Sequence, residues 1–470
     1  MKNKLHIIWK PTLILIPFIL GMVGFIMDGV SFLQAVYLCI RLYAMEHEGT
    51  PANAYIEIAR WLAPLATAGS LVLAVNALRR SVHSTIARLT GRSVAVYGPK
   101  SEKEAMLKTL GVRGIDMDKR PVKANSYILL GDEKENLDFY SMYLQDLDKD
   151  VYIKCNSLPA QASNRANMHL FSPEEIAARL FWKEHCPYEL SVQNGHQLCI
   201  VLIGFGKLGK EVLLSGLQNN IFDANQHIEY HVVGPERGFA QIYHELNQIT
   251  DPVIFHPGTW AEQMDIIRRA NMVIVAKQHN QLEVLRDLML ALPGKRIHVL
   301  SSQPEGTDLL ADQAELVCFD WKRQSMQPES ILSNRLDNYA KRINLRYAHL
   351  YEGVEETVDE REIQWAKLNS FTRNSNISAA DYHAIQLLML NEEALTDKKL
   401  EWLAELEHIR WCRYHYLNNW TYGLPDNGKN KDAAKRVHRS LLPYAELSDS
   451  EKEKDRENIR ILLSLDRETE

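Results

Sequence analysis

The sequence has no C-x-x-C pair and no strong excess of charge of either sign. Its cysteines are scattered, which predicts neither a disulfide framework nor a zinc site: Cys39, Cys155, Cys186, Cys199, Cys318 and Cys412. The formal net charge of -6 gives no reason to expect nucleic acid as a partner. No spacing typical of metal ligands occurs, and no acid, base or nucleophile constellation indicates a catalytic residue. We therefore predict no enzyme, no metal site and no nucleic-acid binding.

Charge is also scarce in two apolar runs near the start of the chain. The run Leu5–Met27 holds one lysine and one histidine, and the run Trp61–Leu78 holds no charge. Each is long enough for a membrane span, which needs about 20 residues. Basic residues precede the first run and follow the second, so the positive-inside bias places both termini in the cytoplasm. The alternatives are a cleaved signal peptide followed by a buried helix, or two core helices of a soluble domain.

A short helix-like stretch lies between the two runs. Residues 31–45, SFLQAVYLCIRLYAM, carry Arg41 in their middle and are too short to cross a bilayer comfortably. We predict that residues 1–90 form a two-span transmembrane α-hairpin with a short re-entrant helix. The chain would then be a multi-pass protein of the cell (inner) membrane, with the lipid bilayer as a partner.

The pattern from residue 93 to residue 321 alternates short apolar runs with helical ones, which predicts an α/β fold. One strand is followed directly by Gly204, Gly206 and Gly209 and then by a helix. A G-x-G-x-x-G motif in this position permits a tight turn and close approach to a phosphate, with the helix N-terminus facing the anion. Six predicted strands make a Rossmann-like unit: Leu198–Ile203, Ile228–Val233, Val253–Phe255, Met272–Ala276, Arg296–Leu300 and Leu316–Phe319.

The segment before this unit has the same layout. Residues 124–155 and 270–300 both read as Ala-Asn, a strand, a polar turn, a helix and a second strand. We interpret the earlier segment as a second, degenerate copy, because its opening has only Gly98 where three glycines are needed. Chance similarity between two α/β segments is the alternative.

After residue 334 the strand pattern gives way to helical patterns. The chain is predicted to be multidomain, with tandem α/β units and an all-α C-terminal domain. The predicted boundaries are 1–90 for the channel-like membrane domain, 91–190 for the degenerate unit, 191–330 for the nucleotide-binding unit, 331–400 for a helical connector and 401–470 for the last domain.

Residues 198–320 resemble the RCK or TrkA-N domain, the nucleotide-binding domain that regulates potassium conductance. The resemblance lies in VLIGFGKLGKEV, HPGTW and RRANMVIVAK. It implies a regulatory NAD(H), NADP(H) or another adenine or ADP-ribose nucleotide. One departure is Gly234, where the family has an acidic residue for the ribose. The candidate binding residues are Gly204, Phe205, Gly206, Lys207, Gly209, Glu236, Arg237, Gly258 and Thr259.

Residues 403–463 resemble the RyR domain, the repeat first described in ryanodine receptors. The match rests on Glu407, His408 and Trp411, on NNWTYG, on LLPY and on Asp455. The aromatic residues are either core or a ligand cage, and beside a basic run they would suit a phosphorylated, base-bearing ligand. The candidate ligand residues are His408, Trp411, Trp420, Tyr422, Arg436, His438 and Tyr444.

The RCK-like unit suggests an interpretation of residues 31–45 as a re-entrant helix, because two-span potassium channels place such a short helix before their filter. The filter itself is missing: Gly49 is the one glycine in the following loop. Our first hypothesis is a ligand-gated, nucleotide-sensing channel-like effector without a potassium filter, in stress or phage defence, forming a homo-oligomer that is tetrameric by analogy. The alternative is a non-conducting membrane-anchored sensor or scaffold that recruits a partner through the RyR domain. A nicotinamide-dependent enzyme ranks third.

Overall fold

The chain forms two compact units, Met1–Ser93 and Val94–Glu470. In the computed structural model the described residues are 2–46, 53–89, 91–157, 167–301, 304–311, 316–332, 335–391, 393–426 and 428–467. Some side chains within these ranges lie outside the described part, namely those of residues 2–14, 69–81, 83, 84, 88, 308, 309, 311, 335, 336, 466 and 467.

The first unit consists of three helices, α1 (Lys2–Met27), α2 (Phe32–Tyr43) and α3 (Ala54–Leu89). Two glycines of α1 lie against the other helices: a Cβ on Gly21 would lie 2.9 Å from the Cys39 sulfur, and a Cβ on Gly24 would lie 2.6 Å from Ile56. The absence of these side chains allows the helices to approach closely. The shared core is Phe25, Ala35, Cys39, Leu42, Ile56, Ala59 and Ala63.

The predicted membrane hairpin is wrong. Among the described residues, no helix combines the length and the apolar character that crossing a membrane requires. Seven described apolar side chains form a core between the three helices, whereas others, such as Leu33 and Trp61, are exposed. Helix α3 continues past the predicted second span through Arg79 and Arg80. The same finding contradicts the predicted location in the inner membrane. The stretch 31–45 does contain a helix, α2, whereas Gly49 lies outside the described residues.

The second unit begins with a parallel five-stranded sheet, in the order β2-β1-β3-β4-β5. Its strands are β1 (Val94–Tyr97), β2 (Gly114–Asp116), β3 (Ser126–Leu129), β4 (Asp150–Lys154) and β5 (Met168–Phe171). The helices are α4 (Lys100–Leu110), α5 (Glu133–Phe139), α6 (Pro173–Glu184) and α7 (Tyr188–Gln193). The predicted similarity in layout between residues 124–155 and 270–300 is confirmed, because each segment contains a strand, a helix and a second strand.

A second parallel sheet has six strands, in the order β11-β10-β9-β6-β7-β8. They are β6 (Gln197–Ile203), β7 (His227–Val233), β8 (Val253–His256), β9 (Met272–Val275), β10 (Ile297–Ser301) and β11 (Leu316–Asp320). The helices between them are α8 (Lys207–Asn219), α9 (Phe239–Ile242), α10 (Met264–Arg269), α11 (Gln281–Ala291) and α12 (Pro304–Ala311). All six predicted strands are confirmed. They could be predicted because helices cover both faces of such a sheet, so its strands appear in the sequence as continuous apolar runs.

The C-terminal part is helical with one small sheet. Its helices are α13 (Trp321–Ser325), α14 (Pro328–Ile331), α15 (Arg335–Glu352), α16 (Val358–Lys367), α17 (Ser370–Leu390), α18 (Asp397–Tyr416) and α19 (Asp449–Arg467). The expectation of an all-α domain is wrong, because three two-residue strands form a sheet: β12 (Thr421–Tyr422), β13 (Lys431–Asp432) and β14 (Val437–His438). One hydrophobic core runs from β6 and α8 into α17, α18 and α19.

Candidate functional site

The six-stranded sheet has the topology of a dinucleotide-binding fold. If β6 is counted as its first strand, the order is 3-2-1-4-5-6, and the direction in which successive strands are added reverses between β6 and β9. Ligands of such sheets bind outside the carboxyl ends of the strands at this switch point. The loop after β6 is the glycine motif, so the sequence places its phosphate-binding motif at the position that the topology favours.

Each glycine of the motif has a distinct steric role. Gly204 has a φ of +101°, and a Cβ there would lie 2.6 Å from the backbone nitrogen of Lys277. A Cβ on Gly209 would collide with the Gly204 carbonyl oxygen, so this glycine lets α8 pack on β6. Gly206 is the N-cap of α8, and a Cβ there meets no described atom within 4 Å. The space before the helix N-terminus is therefore open, as approach of a phosphate requires.

The side chains of the motif divide into core and surface. Phe205 is buried against Phe239 and Phe255, with ring centroids 5.5 and 5.0 Å away, so it supports the loop rather than reaching a ligand. Lys207 is exposed in the first turn of α8. Lys277, on the loop after β9, is half-buried with its backbone against Gly204. Two cations thus border the open helix N-terminus.

The end of β7 differs from a usual ribose site. Gly234 has a φ of +153°, and a Cβ there would lie 3.2 Å from the Phe205 backbone nitrogen, so a carboxylate side chain would be strained. Glu236 accepts a hydrogen bond from the Ala240 backbone nitrogen at 3.1 Å, which occupies one of its oxygens. Arg237 is exposed with a φ of +53°. Of the predicted candidates here, Arg237 is the exposed cation nearest in sequence to the strand end.

Gly258 and Thr259 are not beside the glycine motif. They follow β8, and β7 separates this strand from β6, which amounts to about 10 Å across two strand spacings. The Thr259 hydroxyl donates to the Glu262 carboxylate at 3.1 Å. Two residues that the sequence analysis did not select, Lys277 and Gln278, lie on the loop after β9, the strand next to β6. The signal was available in the strand order, because the fourth strand of this fold lies beside the first.

The C-terminal helices enclose a second candidate site, a cavity of about 420 Å³. Three of the predicted ligand residues line it, namely His408, Trp411 and His438. Residues that the sequence reasoning did not select also line it, including Phe371, Thr372, Ser375, Asn376, His415 and Lys431. The cavity volume lies within the range of small-molecule sites, at its lower end.

The other four predicted ligand residues lie elsewhere. Trp420 is 4% exposed and stacks on Phe371 at 5.0 Å, so it belongs to the core. Tyr444 is buried and donates to Glu401 at 3.1 Å. Tyr422 is exposed on β12, and the Arg436 guanidinium donates to the Asn418 carbonyl at 3.1 Å. Of the seven predicted ligand residues, three therefore line the cavity and four do not.

One of the three cavity histidines, His408, differs in charge from the other two. Burial opposes the charged form of His408, but hydrogen bonds to Asp455 and Cys412 outweigh it and raise its pKa to about 10. Geometry supports the cation: Nε2 lies 2.9 Å from the Leu442 carbonyl and Nδ1 lies 3.2 Å from Asp455, so both nitrogens face acceptors. Burial lowers the pKa of His415 to about 3. Burial and the charge of Lys431 lower the pKa of His438 to about 4.

The His408–Asp455 pair predicts a pH dependence of stability. Between the unfolded pKa of about 6.5 and the folded pKa of about 10, the folded chain binds one more proton than the unfolded chain. Stability should therefore fall by up to about 1.4 kcal/mol per pH unit in this window. The measurement is denaturant unfolding of the full chain from pH 6 to pH 10, followed by the C-terminal tryptophans.

The control for this prediction is another histidine of the same cavity. His408→Gln should flatten the decline, whereas His438→Gln should keep it, because the lowered pKa of His438 places its titration below this window. A decline that survives unchanged in His408→Gln would contradict the assignment of the charge to His408.

A buried ion pair joins the C-terminal helices to the six-stranded sheet. Arg413 of α18 contacts Asp251 at 2.7 Å, and their side chains are 3% and 0% exposed. The guanidinium also donates to the Leu217 carbonyl at 3.1 Å, and Asp251 accepts from the Ile228 backbone nitrogen at 2.8 Å. The Tyr382 hydroxyl adds a buried hydrogen bond to the α8–β7 loop. The two candidate sites therefore belong to parts that share one core.

Comparison with known proteins supports this architecture in part. The family model of the RyR domain matches residues 381–465, so this segment is similar to RyR domains, and the match begins within α17. No curated protein matches the chain in sequence. The predicted resemblance to the RCK or TrkA-N domain has no support from these comparisons.

Two solved structures are similar to the chain. A dipicolinate synthase component from Bacillus halodurans has 12% identity and a TM-score of 0.24, with 52% of this chain and 97% of that chain covered. L-tryptophan dehydrogenase from Nostoc punctiforme has 10% identity and a TM-score of 0.26, with coverages of 70% and 88%. Both names are those of enzyme proteins, so the expectation that the chain is not an enzyme is not upheld. At these low TM-scores, neither likeness assigns a reaction to this chain.

Proposed function

We propose that the chain is a nucleotide-sensing regulatory protein, in which the glycine loop binds a dinucleotide-type ligand and the RyR domain responds to it. The observation that carries this proposal is the open N-terminus of α8 at the switch point, with Gly206 facing space and Gly204 packed against Lys277. Backbone N–H groups at a helix N-terminus, with the helix dipole, suit a phosphate.

The residues present fit the phosphate end of an NAD-type ligand better than its adenosine ribose. The glycine loop provides the cradle, and Lys207 and Lys277 provide positive charge beside it. Gly234 stands where other members of such folds have an acidic side chain that binds the ribose, and the exposed Arg237 lies just beyond it. An arginine in this region accommodates a 2′-phosphate in related folds. We therefore propose NADP(H) or another phosphorylated adenine nucleotide ahead of NAD(H).

The RyR domain supplies the second part of the proposal. Its cavity combines Trp411 and Phe371 with Lys431, which suits stacking of a base and attraction of an anion, while the charge of His408 is paired with Asp455. The cavity and the glycine loop belong to parts that meet at the Arg413–Asp251 pair. A ligand in either site would therefore influence the other if it shifts this contact. Recruitment of a protein partner through the RyR domain is the alternative for this domain.

Hydrogen exchange on the full chain tests this coupling. With NADPH bound, exchange should slow in residues 204–212, and it should also slow in α18, which contains Arg413. The same comparison with Arg413→Met, which keeps the volume but removes the ion pair, should keep the first effect and lose the second. Protection confined to the glycine loop in the unaltered chain would contradict sensing through the RyR domain.

Two tryptophans of the RyR domain should respond differently to truncation. Trp420→Ala removes a core ring that stacks on Phe371, so we expect a loss of about 3–5 kcal/mol of stability. Trp411→Ala removes a half-buried cavity wall and should cost less. Denaturant unfolding of the two full-length variants measures the difference. Equal losses would contradict the division between core and cavity.

The predicted homo-oligomer, tetrameric by analogy, is tested by none of these observations and stays a prediction. Channel gating is not part of the proposal, because the membrane hairpin on which it depended is contradicted.

A further inference from the structure

The carboxyl ends of both sheets contribute to one cleft of about 640 Å³. From the five-stranded sheet come Ser101 and Glu102, which follow β1, and Lys154 and Asn156 at the end of β4. From the six-stranded sheet come Gln278, which follows β9, and the segment 320–323, which follows β11. Since the carboxyl ends of parallel strands are where α/β folds bind ligands, a cleft shared by two such edges is a favourable site.

Two polar groups at this cleft have unmet hydrogen-bonding needs. Trp321 lines it and is 4% exposed, and its indole Nε1–H has no partner among the described residues. Glu174, in the first turn of α6, also lines the cleft, and its buried Oε2 likewise finds no partner in the described part of the chain. An unpaired buried donor or acceptor lowers stability, because it has lost its hydrogen bonds to water. A ligand that offers one acceptor and one donor would satisfy both groups.

The charged lining defines the ligand further. Lys154 is paired with Glu102 at 2.7 Å, so these two charges largely cancel. Lys322 lies over the Trp321 ring at 5.7 Å, and Arg323 lines the cleft without an ion pair to a described residue. The segment 320–323 carries Lys322 and Arg323 against one carboxylate, that of Asp320, which accepts from the Arg323 backbone nitrogen at 3.1 Å. Its net charge is therefore positive, while the carboxylate oxygen that lacks a described partner is that of Glu174. A ligand that carries both a carboxylate and an ammonium matches this arrangement.

We propose that this cleft binds a small zwitterion of the α-amino acid class. The ligand carboxylate accepts from the Trp321 indole N–H and pairs with Arg323, and its ammonium donates to Glu174. The volume admits a large side chain as well. The cleft shares Gln278 with the loop after β9, but no residue of the glycine motif itself lines it, and the proposal does not depend on a bound nucleotide.

The test is a calorimetric titration of the full chain with each of the twenty L-amino acids at millimolar concentration, without nucleotide. At least one amino acid should bind. Analogues of it that lack either the amine or the carboxylate should bind at least roughly 10-fold more weakly. Glu174→Gln, Trp321→Phe and Arg323→Gln should weaken binding to a similar degree. Trp260→Phe and Arg268→Gln, which lie outside the cleft, are the matched controls and should bind as the unaltered chain does.

Two results would overturn the proposal. One is that no amino acid binds at millimolar concentration. The other is that Glu174→Gln and the surface variant Arg323→Gln bind the amino acid as tightly as the unaltered chain. Since the exposed Arg323 side chain leaves the core unchanged, its variant gives a decisive answer even if Trp321→Phe fails to fold.

Discussion

Arg413→Ala should destabilise the chain by about 3–5 kcal/mol, because it leaves the Asp251 carboxylate buried without its partner. Asp251 would retain its hydrogen bonds from Ile228 and Gln226, at 2.8 and 2.7 Å, but these do not replace the lost positive charge. The loss should appear as an earlier transition of the RyR domain in denaturant unfolding. The expected size reflects the cost of an unpaired charge, not the net contribution of the ion pair.

A double-mutant cycle separates the pair from simple loss of packing. Arg413→Ala with Asp251→Ala should cost clearly less than the sum of the two single changes, since the double variant buries no unpaired charge. Lys435→Ala, which breaks an exposed pair with Asp426 in the same domain, should leave the unfolding midpoint unchanged. A cost of Arg413→Ala within experimental error of the Lys435→Ala control would show that the buried pair does not hold the domain in place.

Gly206→Asp should remove nucleotide binding while the protein stays folded. The substitution places a carboxylate at the open N-terminus of α8, where a phosphate would approach, and the two negative charges would repel each other. Gly206 has a φ of −88°, which any residue adopts, and aspartate is a favourable N-cap, so the melting temperature without ligand should stay the same or rise. A loss of affinity of at least about 100-fold is expected, measured by thermal shift with NADPH.

The matched control is Gly206→Ala, which adds only a methyl group. Its loss of affinity should be smaller, because it hinders close approach of the backbone to the phosphate without adding charge. If Gly206→Asp keeps the affinity of the unaltered chain, the ligand does not bind at this loop.

Much of the second unit was predictable from sequence. Parallel strands covered on both faces read as short continuous apolar runs, so strands such as Leu198–Ile203 were placed to within one or two residues of the structure. The glycine motif between β6 and α8 was recognisable because its steric role is local: Gly204, Gly206 and Gly209 lie within six consecutive residues. The role of its neighbours depended on strand order, which one sequence does not reveal, and Lys277 was missed for that reason.

The first unit shows where the same reasoning was wrong. Apolar runs of spanning length predicted two membrane spans, but run length does not specify what the apolar side chains contact. In the structure Phe25, Cys39 and Ile56 pack against other helices of the same unit. Hydropathy alone does not distinguish a helix that contacts lipid from one that contacts another helix. The prediction of a short helix at 31–45 was nevertheless confirmed as α2.

The RyR domain illustrates an intermediate case. Its family was recognised from aromatic and histidine positions, and the family model confirms the domain. The division of those residues between core and cavity was not predictable, because Trp411 and Trp420 are both aromatic residues of the same segment. It depends on α17, which contributes Phe371 to the core beneath Trp420 and to the cavity wall.

Calorimetric titration of the unaltered full chain with NADP(H), NAD(H) and ADP-ribose tests the central claim most directly. The account predicts saturable binding of one nucleotide per chain, with a phosphorylated adenine ribose preferred over its unphosphorylated counterpart. No binding of any of these nucleotides at millimolar concentration would contradict the claim that the glycine loop senses a nucleotide.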